Sequence, residues 1–124
     1  MLTAFQLVLR EVPEARLVFA GDGPSAADLK TFAAELRISR SVEFLGVRKD
    51  VPALPDTFGV FTLSSTTEGL SMTVLEAMSA GLPVVATDVG GNRGILCPPE
   101  CGLIAAPLIR RLWQTVISRY CAIL

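Results

Sequence analysis

Apolar positions along this chain follow two alternating periods. Leu17 to Ala20, Val42 to Leu45, Val60 to Leu63 and Val84 to Ala86 are short, apolar-rich runs of strand length and read as buried strands. The segments between them repeat at helical spacing. Phe5, Leu7, Val8 and Leu9 predict a helix over Leu2 to Val12, ended by Pro13. A second helix is predicted over Ser25 to Ile38, with Pro24 and Ser25 marking its entry and Leu29, Phe32, Ala33 and Leu36 as its apolar positions. Asp50 to Asp56 reads as a short helical turn interrupted by proline. A third helix is predicted from Met72 to Ala80, with Ser71 as N-cap, Met72, Leu75 and Met78 as its apolar positions, and Gly81 and Pro83 as its stop. Strands alternating with helices through short connections predict an α/β fold built on a parallel sheet. No internal repeat or low-complexity tract interrupts the pattern.

The pattern changes near the end. Cys101 to Ile104 carries a last strand signal, and the tail from Pro107 to Leu124 reads as an amphipathic helix. Leu108, Leu112, Val116 and Tyr120 lie about one face, with Ile109, Trp113 and Ile117 beside it. Three arginines within the tail argue against a membrane span. A shifted or truncated reading frame accounts for the tail equally well. The expected organisation is one domain over 1–106 and a tail over 107–124.

Composition narrows the function classes. The chain has 124 residues, 51% of them hydrophobic, and a formal net charge of -1, which fits one domain without a basic surface for nucleic acid or anionic lipid. There is no histidine, which removes the usual general base near neutral pH and any Ser/His or Cys/His pair. Cys97, Cys101 and Cys121 cannot alone complete a four-ligand zinc site, so no metal and no cofactor is expected. Met1 to Arg10 has no basic start or cleavage site of a signal peptide, and a cytoplasmic location is the expectation.

The richest chemistry lies between Ser64 and Asp88, SSTTEGLSMTVLEAMSAGLPVVATD, a strand, loop, helix, strand unit. A helix start beside the carboxyl end of a strand offers unpaired N–H groups and a positive dipole end, which suit a diphosphate. The hydroxyls of Ser71 and Thr73 can add donors. Glu76 lies five residues past the cap, about 7 Å along the axis, the reach from a phosphate to a neighbouring ribose whose two hydroxyls a carboxylate can accept. Glu68 precedes the helix, where it can approach a transferable sugar, and Gly69 would let that sugar come close to the backbone. Two solvated carboxylates are the plain alternative. Gly21 to Pro24 and the Gly90–Gly91 pair read equally well as turns.

At these residues the sequence resembles a known family: the retaining, nucleotide-sugar-dependent glycosyltransferases of the GT-B fold, which share a motif of two glutamates separated by seven residues. Here that motif is EGLSMTVLE, Glu68 to Glu76. The resemblance extends to RLVFAGDGP at Arg16 to Pro24, VEFLGVRKDV at Val42 to Val51 and AGLPVVATDVGGN at Ala80 to Asn92, in the family's order and spacing. It implies a Rossmann-like, doubly wound parallel sheet, the C-terminal half of a GT-B fold, lacking the first strand. It implies that Glu76 binds the donor ribose and that Glu68 contacts and orients the donor sugar as the catalytic-site carboxylate. It further implies backbone contacts to the sugar from Gly69, Leu70 and Ser71, to the phosphates near Thr73 and Val74, and to the base from Gly46, Val47 and Arg48.

The family begins this domain with a strand and a loop carrying an Arg and a Lys against the diphosphate, and neither is found here. The missing strand is expected to be central, between the strands at Leu17 and Val60. Arg48, Lys49 and Arg93 are possible substitutes for the missing cations, with solvated surface as the simpler reading. The expected partners are a nucleoside diphosphate sugar and an acceptor domain or partner chain, without which the chain is expected to be inactive. A non-catalytic nucleotide-sugar-binding or interaction module is the alternative. A sugar-nucleotide epimerase half is a weaker one, since EGLSMTVLE favours transferases.

Overall fold

The computed structural model describes residues 1–21, 23–47, 58–97 and 102–105. In chain order they form α1 (Leu2–Glu11), β1 (Leu17–Ala20), α2 (Ala26–Glu35), a 3-10 turn at Ser39–Ser41, β2 (Val42–Gly46), β3 (Phe61–Leu63), α3 (Met72–Ser79), β4 (Val84–Thr87), α4 (Asn92–Ile95) and β5 (Leu103–Ala105). Each predicted helix and strand within the described residues is present with its ends moved by a few residues at most. The turn expected at Asp50 to Asp56 and the tail helix over 107–124 lie outside the described residues. Among those described, no helix is long and apolar enough to cross a membrane.

All paired strands are parallel, and they form two sheets rather than one. β1 pairs with β2, in register from Leu17 opposite Val42. β3, β4 and β5 form the second sheet in that order. In the first sheet Phe19 and Phe44 face each other across the ladder with rings stacked at 5.0 Å, and Lys30 of α2 places its ammonium 5.6 Å from the Phe44 ring centre.

Strand alternation sorts the helices onto opposite faces. Val85 joins a core with Leu2, Ala4, Phe5 and Val8 of α1, Ala33 of α2 and Ala105, against which Leu17, Phe19, Val42 and Val60 also pack. Its neighbours Val84 and Ala86 turn the other way, to Val74 and Ala77 of α3 and to Leu96. Thus α1 and α2 cover one face while α3 and α4 cover the other, a doubly wound arrangement. Parallel strands joined by right-handed crossovers then progress in opposite directions from the middle, giving β2-β1 on one side and β3-β4-β5 on the other. The core that contains residues of α1, β1, β2, β4 and β5 holds the two sheets together.

One predicted face is corrected. Met72 and Leu75 are 60% and 36% exposed, and α3 buries Val74 and Ala77 instead. Small side chains let the helix lie close to the sheet, and the larger ones are turned to its flank. In α2, Phe32 is likewise exposed while Ala33 is buried. The faces give a direct contrast in stability. Phe5→Ala, which empties a site at the core shared by both sheets, should cost about 3–5 kcal/mol in urea unfolding, whereas Met72→Ala should stay within about 0.5 kcal/mol of the parent. Equal effects would contradict the assigned burial.

Candidate functional site

Glu68 lies in the loop between β3 and α3, and Glu76 lies in the second turn of α3. Glu68 is half-buried, and Ser65 donates its hydroxyl to Glu68 Oε1 at 2.6 Å. Glu76 is exposed on α3, three residues beyond the exposed Thr73, so that the two share one side of the helix. Among the described residues Glu76 has no side-chain hydrogen bond or ion pair, which leaves both its oxygens available to an incoming hydroxyl.

Ser71 occupies the N-cap of α3 with extended backbone, as expected, but its hydroxyl does not cap. It is 3% exposed and meets the Thr73 hydroxyl at 3.2 Å, and no side chain bonds the first amides of the helix. The expected cap is therefore corrected. Those amides, including that of Val74, keep the donor capacity and positive dipole end that an anion requires. Gly69 is exposed, and a Cβ added there would meet no atom within 4 Å, so there is open space on its outer side. Leu70 is 63% exposed beside it.

The Glu68 loop is fastened from β4 and the turn that follows. Thr87, 3% exposed at the end of β4, donates its hydroxyl to the Ser65 carbonyl at 2.6 Å. The Gly91 amide donates to the Gly69 carbonyl at 2.8 Å. Gly90 has φ +53, and a Cβ on it would stand 1.9 Å from the Glu68 carbonyl oxygen and 2.8 Å from that of Gly69. Only glycine permits this approach. Asn92, fully buried, holds the turn in place by donating to the Thr87 carbonyl at 3.1 Å. Sequence reasoning read Gly90 and Gly91 as a turn and passed over Thr87 and Asn92. A glycine pair following a strand and followed by a small amide was the available signal, but the contact it serves is made to a loop twenty residues earlier.

Arg93, considered as a cation for a diphosphate, is engaged elsewhere. Its Nε donates to Asp88 Oδ1 at 3.0 Å and its terminal nitrogen contacts Oδ2. The hydrogen bond from Arg93 holds the Asp88 carboxyl below its usual range and raises the guanidinium in turn. Any stability this pair adds is present above the unfolded carboxylate pKa and lost as pH falls through the lowered folded value.

Gly46 and Val47 end β2 at a separate place. Gly46 accepts a hydrogen bond from the Gly21 amide at 2.8 Å, joining the turn after β1 to the end of β2, and Val47 is 74% exposed. Arg48 and Lys49 lie outside the described residues, as do Cys101 and Cys121. Among those described, Cys97 is exposed and no group of three potential metal ligands occurs.

The sequence profile described as Glycosyl transferases group 1 matches residues 1–113. A glycosyltransferase candidate of Bacillus subtilis, EpsD, is 37% identical over 119 residues, covering 92% of this chain and 31% of its own length. The Escherichia coli UDP-Gal:alpha-D-GlcNAc-diphosphoundecaprenol alpha-1,3-galactosyltransferase is 34% identical over 82 residues, 65% of this chain and 21% of that protein. S. aureus TarM, solved in complex with Fondaparinux, alpha-GlcNAc-glycerol and UDP, superposes with a TM-score of 0.90 at 18% identity, over 98% of this chain and 25% of that one. The chain thus spans about a third or less of the length of the curated relatives it matches.

The close approach at Gly90 gives a test of how the loop is held. Gly90→Ala should destabilise the fold by about 1–3 kcal/mol from its backbone conformation alone, and should shift the amide resonances of Glu68 and Gly69. Gly69→Ala, placed in open space, should change stability by less than about 1 kcal/mol. Unmoved Glu68 and Gly69 resonances in the Gly90 variant would refute the fastening.

Proposed function

The chain belongs to the group 1 glycosyl transferases, and from that premise we propose that the edge carrying Glu68 and Glu76 is the donor-binding part of a retaining sugar transferase. The reading rests on one observation above the others: a half-buried, tethered carboxylate, Glu68, stands ahead of an uncapped helix start whose next turn exposes Glu76. The diphosphate of the donor lies against the first amides of α3, near Thr73 and Val74. Glu76 accepts from the ribose hydroxyls. Glu68, with the backbone of Gly69, Leu70 and Ser71, orients the sugar. Gly46, Val47 and Arg48 border the base.

In the transfer the bond between the anomeric carbon and the diphosphate oxygen breaks, a bond to the acceptor hydroxyl oxygen forms, and that hydroxyl's proton goes to the departing diphosphate. Negative charge grows on the departing nucleoside diphosphate, and the α3 amides face that charge. An acceptor domain, absent from the described residues, supplies the other substrate. The names of two matched proteins fit such a donor, one acting on UDP-Gal and one solved with UDP. A non-catalytic nucleotide-sugar-binding module is the second reading, favoured by the pairing of Arg93 with Asp88, which withholds that cation from a leaving diphosphate.

Calorimetric titration of the folded chain with UDP, GDP and ADP tests the reading. One nucleotide should bind in the micromolar range, and Glu76→Ala should weaken it at least about tenfold, the loss of a charge-assisted hydrogen bond worth about 1.5–3 kcal/mol. Glu68→Gln should leave the free nucleotide nearly unaffected and weaken only the nucleotide sugar. A Glu76→Ala variant binding as tightly as the parent, or a folded parent binding none of the three, would overturn the proposal.

A further inference from the structure

The loop that carries Glu68 is held separately in its backbone and in its side chain. Thr87, 3% exposed, donates to the Ser65 carbonyl, and the Gly91 amide donates to the Gly69 carbonyl. Gly90 lies so close to the Glu68 carbonyl that a Cβ on it would collide. None of these contacts touches the Glu68 carboxylate. Among the described residues its one hydrogen-bond partner is the Ser65 hydroxyl, 2.6 Å from Oε1, the length of a hydroxyl donating to a carboxylate.

Ser65 therefore divides its work between two atoms. Its carbonyl is fixed by a buried strand end, and its half-buried hydroxyl passes that position on to a side chain three residues later. A glutamate side chain has several rotatable bonds, and ordering it only at the moment of binding costs affinity. A serine that orders it beforehand removes that cost. The same bond also sets a direction. With Oε1 engaged by a donor, Oε2 keeps its full acceptor capacity, so the carboxylate meets an incoming hydroxyl with one chosen oxygen.

We propose that Ser65 is the positioning residue for Glu68: its hydroxyl sets the carboxylate toward the donor sugar before the sugar arrives. This role rests on the donor-site reading of Glu68 and adds to it the residue through which the end of β4 reaches the carboxylate. Ser65 itself makes no contact with substrate. Loss of its hydroxyl acts on the sugar alone, because the free nucleotide does not reach Glu68 and the loop backbone keeps its own fastenings.

Two measurements on the full chain test this role. In the free chain, three-bond couplings of the Glu68 side chain should report a single rotamer. In Ser65→Ala they should average, while the Gly91 amide, bonded to Gly69, keeps its protection from hydrogen exchange. In calorimetric titrations, UDP-glucose, GDP-mannose and ADP-glucose are each compared with their free nucleotide. Ser65→Ala should weaken the sugar nucleotide that binds by about three- to tenfold and leave its free nucleotide within about twofold. In a Glu68→Ala background the same substitution should add nothing further. Averaged couplings in the parent, or couplings that Ser65→Ala leaves unchanged, would overturn the role while leaving the donor site standing. So would an unchanged sugar-nucleotide affinity, or an equal loss with the Glu68 carboxylate already removed, which would make Ser65 part of the loop's framework only. With Glu68 ordered as expected, failure of every sugar nucleotide to bind would overturn the donor-site reading, and the positioning role would fall with it.

Discussion

The burial of β4 on both faces is the constraint on which the rest of the molecule depends. Val84, Val85 and Ala86 are fully excluded from solvent, and their alternation sends one side chain into the core of α1 and two into that of α3. A strand so enclosed has little freedom, and its last residue, Thr87, is fixed with it. From Thr87 and the turn that follows, hydrogen bonds reach Ser65 and Gly69 on either side of Glu68. The position of a carboxylate in a loop is thus set by a strand twenty residues later. Preorganisation of this kind needs no large side chain, only a hydroxyl, two glycines and a buried amide.

The order of elements was legible from the sequence because apolar runs and turn residues both mark it. Pro13, Pro24 and Gly81 stand at element ends, and the strand runs lie between them. The two-sheet arrangement was foreseeable only through the family resemblance, which says where a strand is missing. The burial of α3 was misread because Met72 and Leu75 score as apolar, while close packing against a sheet selects the smaller Val74 and Ala77. α4 was not expected, since GGN followed by Arg93 and Gly94 has the composition of a loop. Its helical turn is held by Asn92, whose amide bonds the end of β4, and a tertiary hydrogen bond of that kind leaves no periodic trace.

The site itself was legible in part. Glu68 and Glu76 stand out by spacing, and the fold brings the helix start between them to a strand end. Ser71 is placed correctly and used differently, because its hydroxyl is buried against Thr73 rather than turned to the helix amides. The fastening by Thr87, Gly90 and Gly91 was not legible, since it joins segments far apart in sequence that the β3–β4 ladder brings together.

The central claim is that sugar nucleotide binds at the edge built on β3, β4 and α3. Mapping backbone amide shifts of the isotope-labelled chain during titration with a UDP-sugar tests it most directly. The account predicts saturable shifts concentrated in Gly69 to Glu76, with Gly90 and Gly91 following through their contact with the loop. Shifts confined to the shallow cleft lined by Arg16, Arg40, Ser41, Val42 and Glu43, at the opposite end of the first sheet, would contradict it.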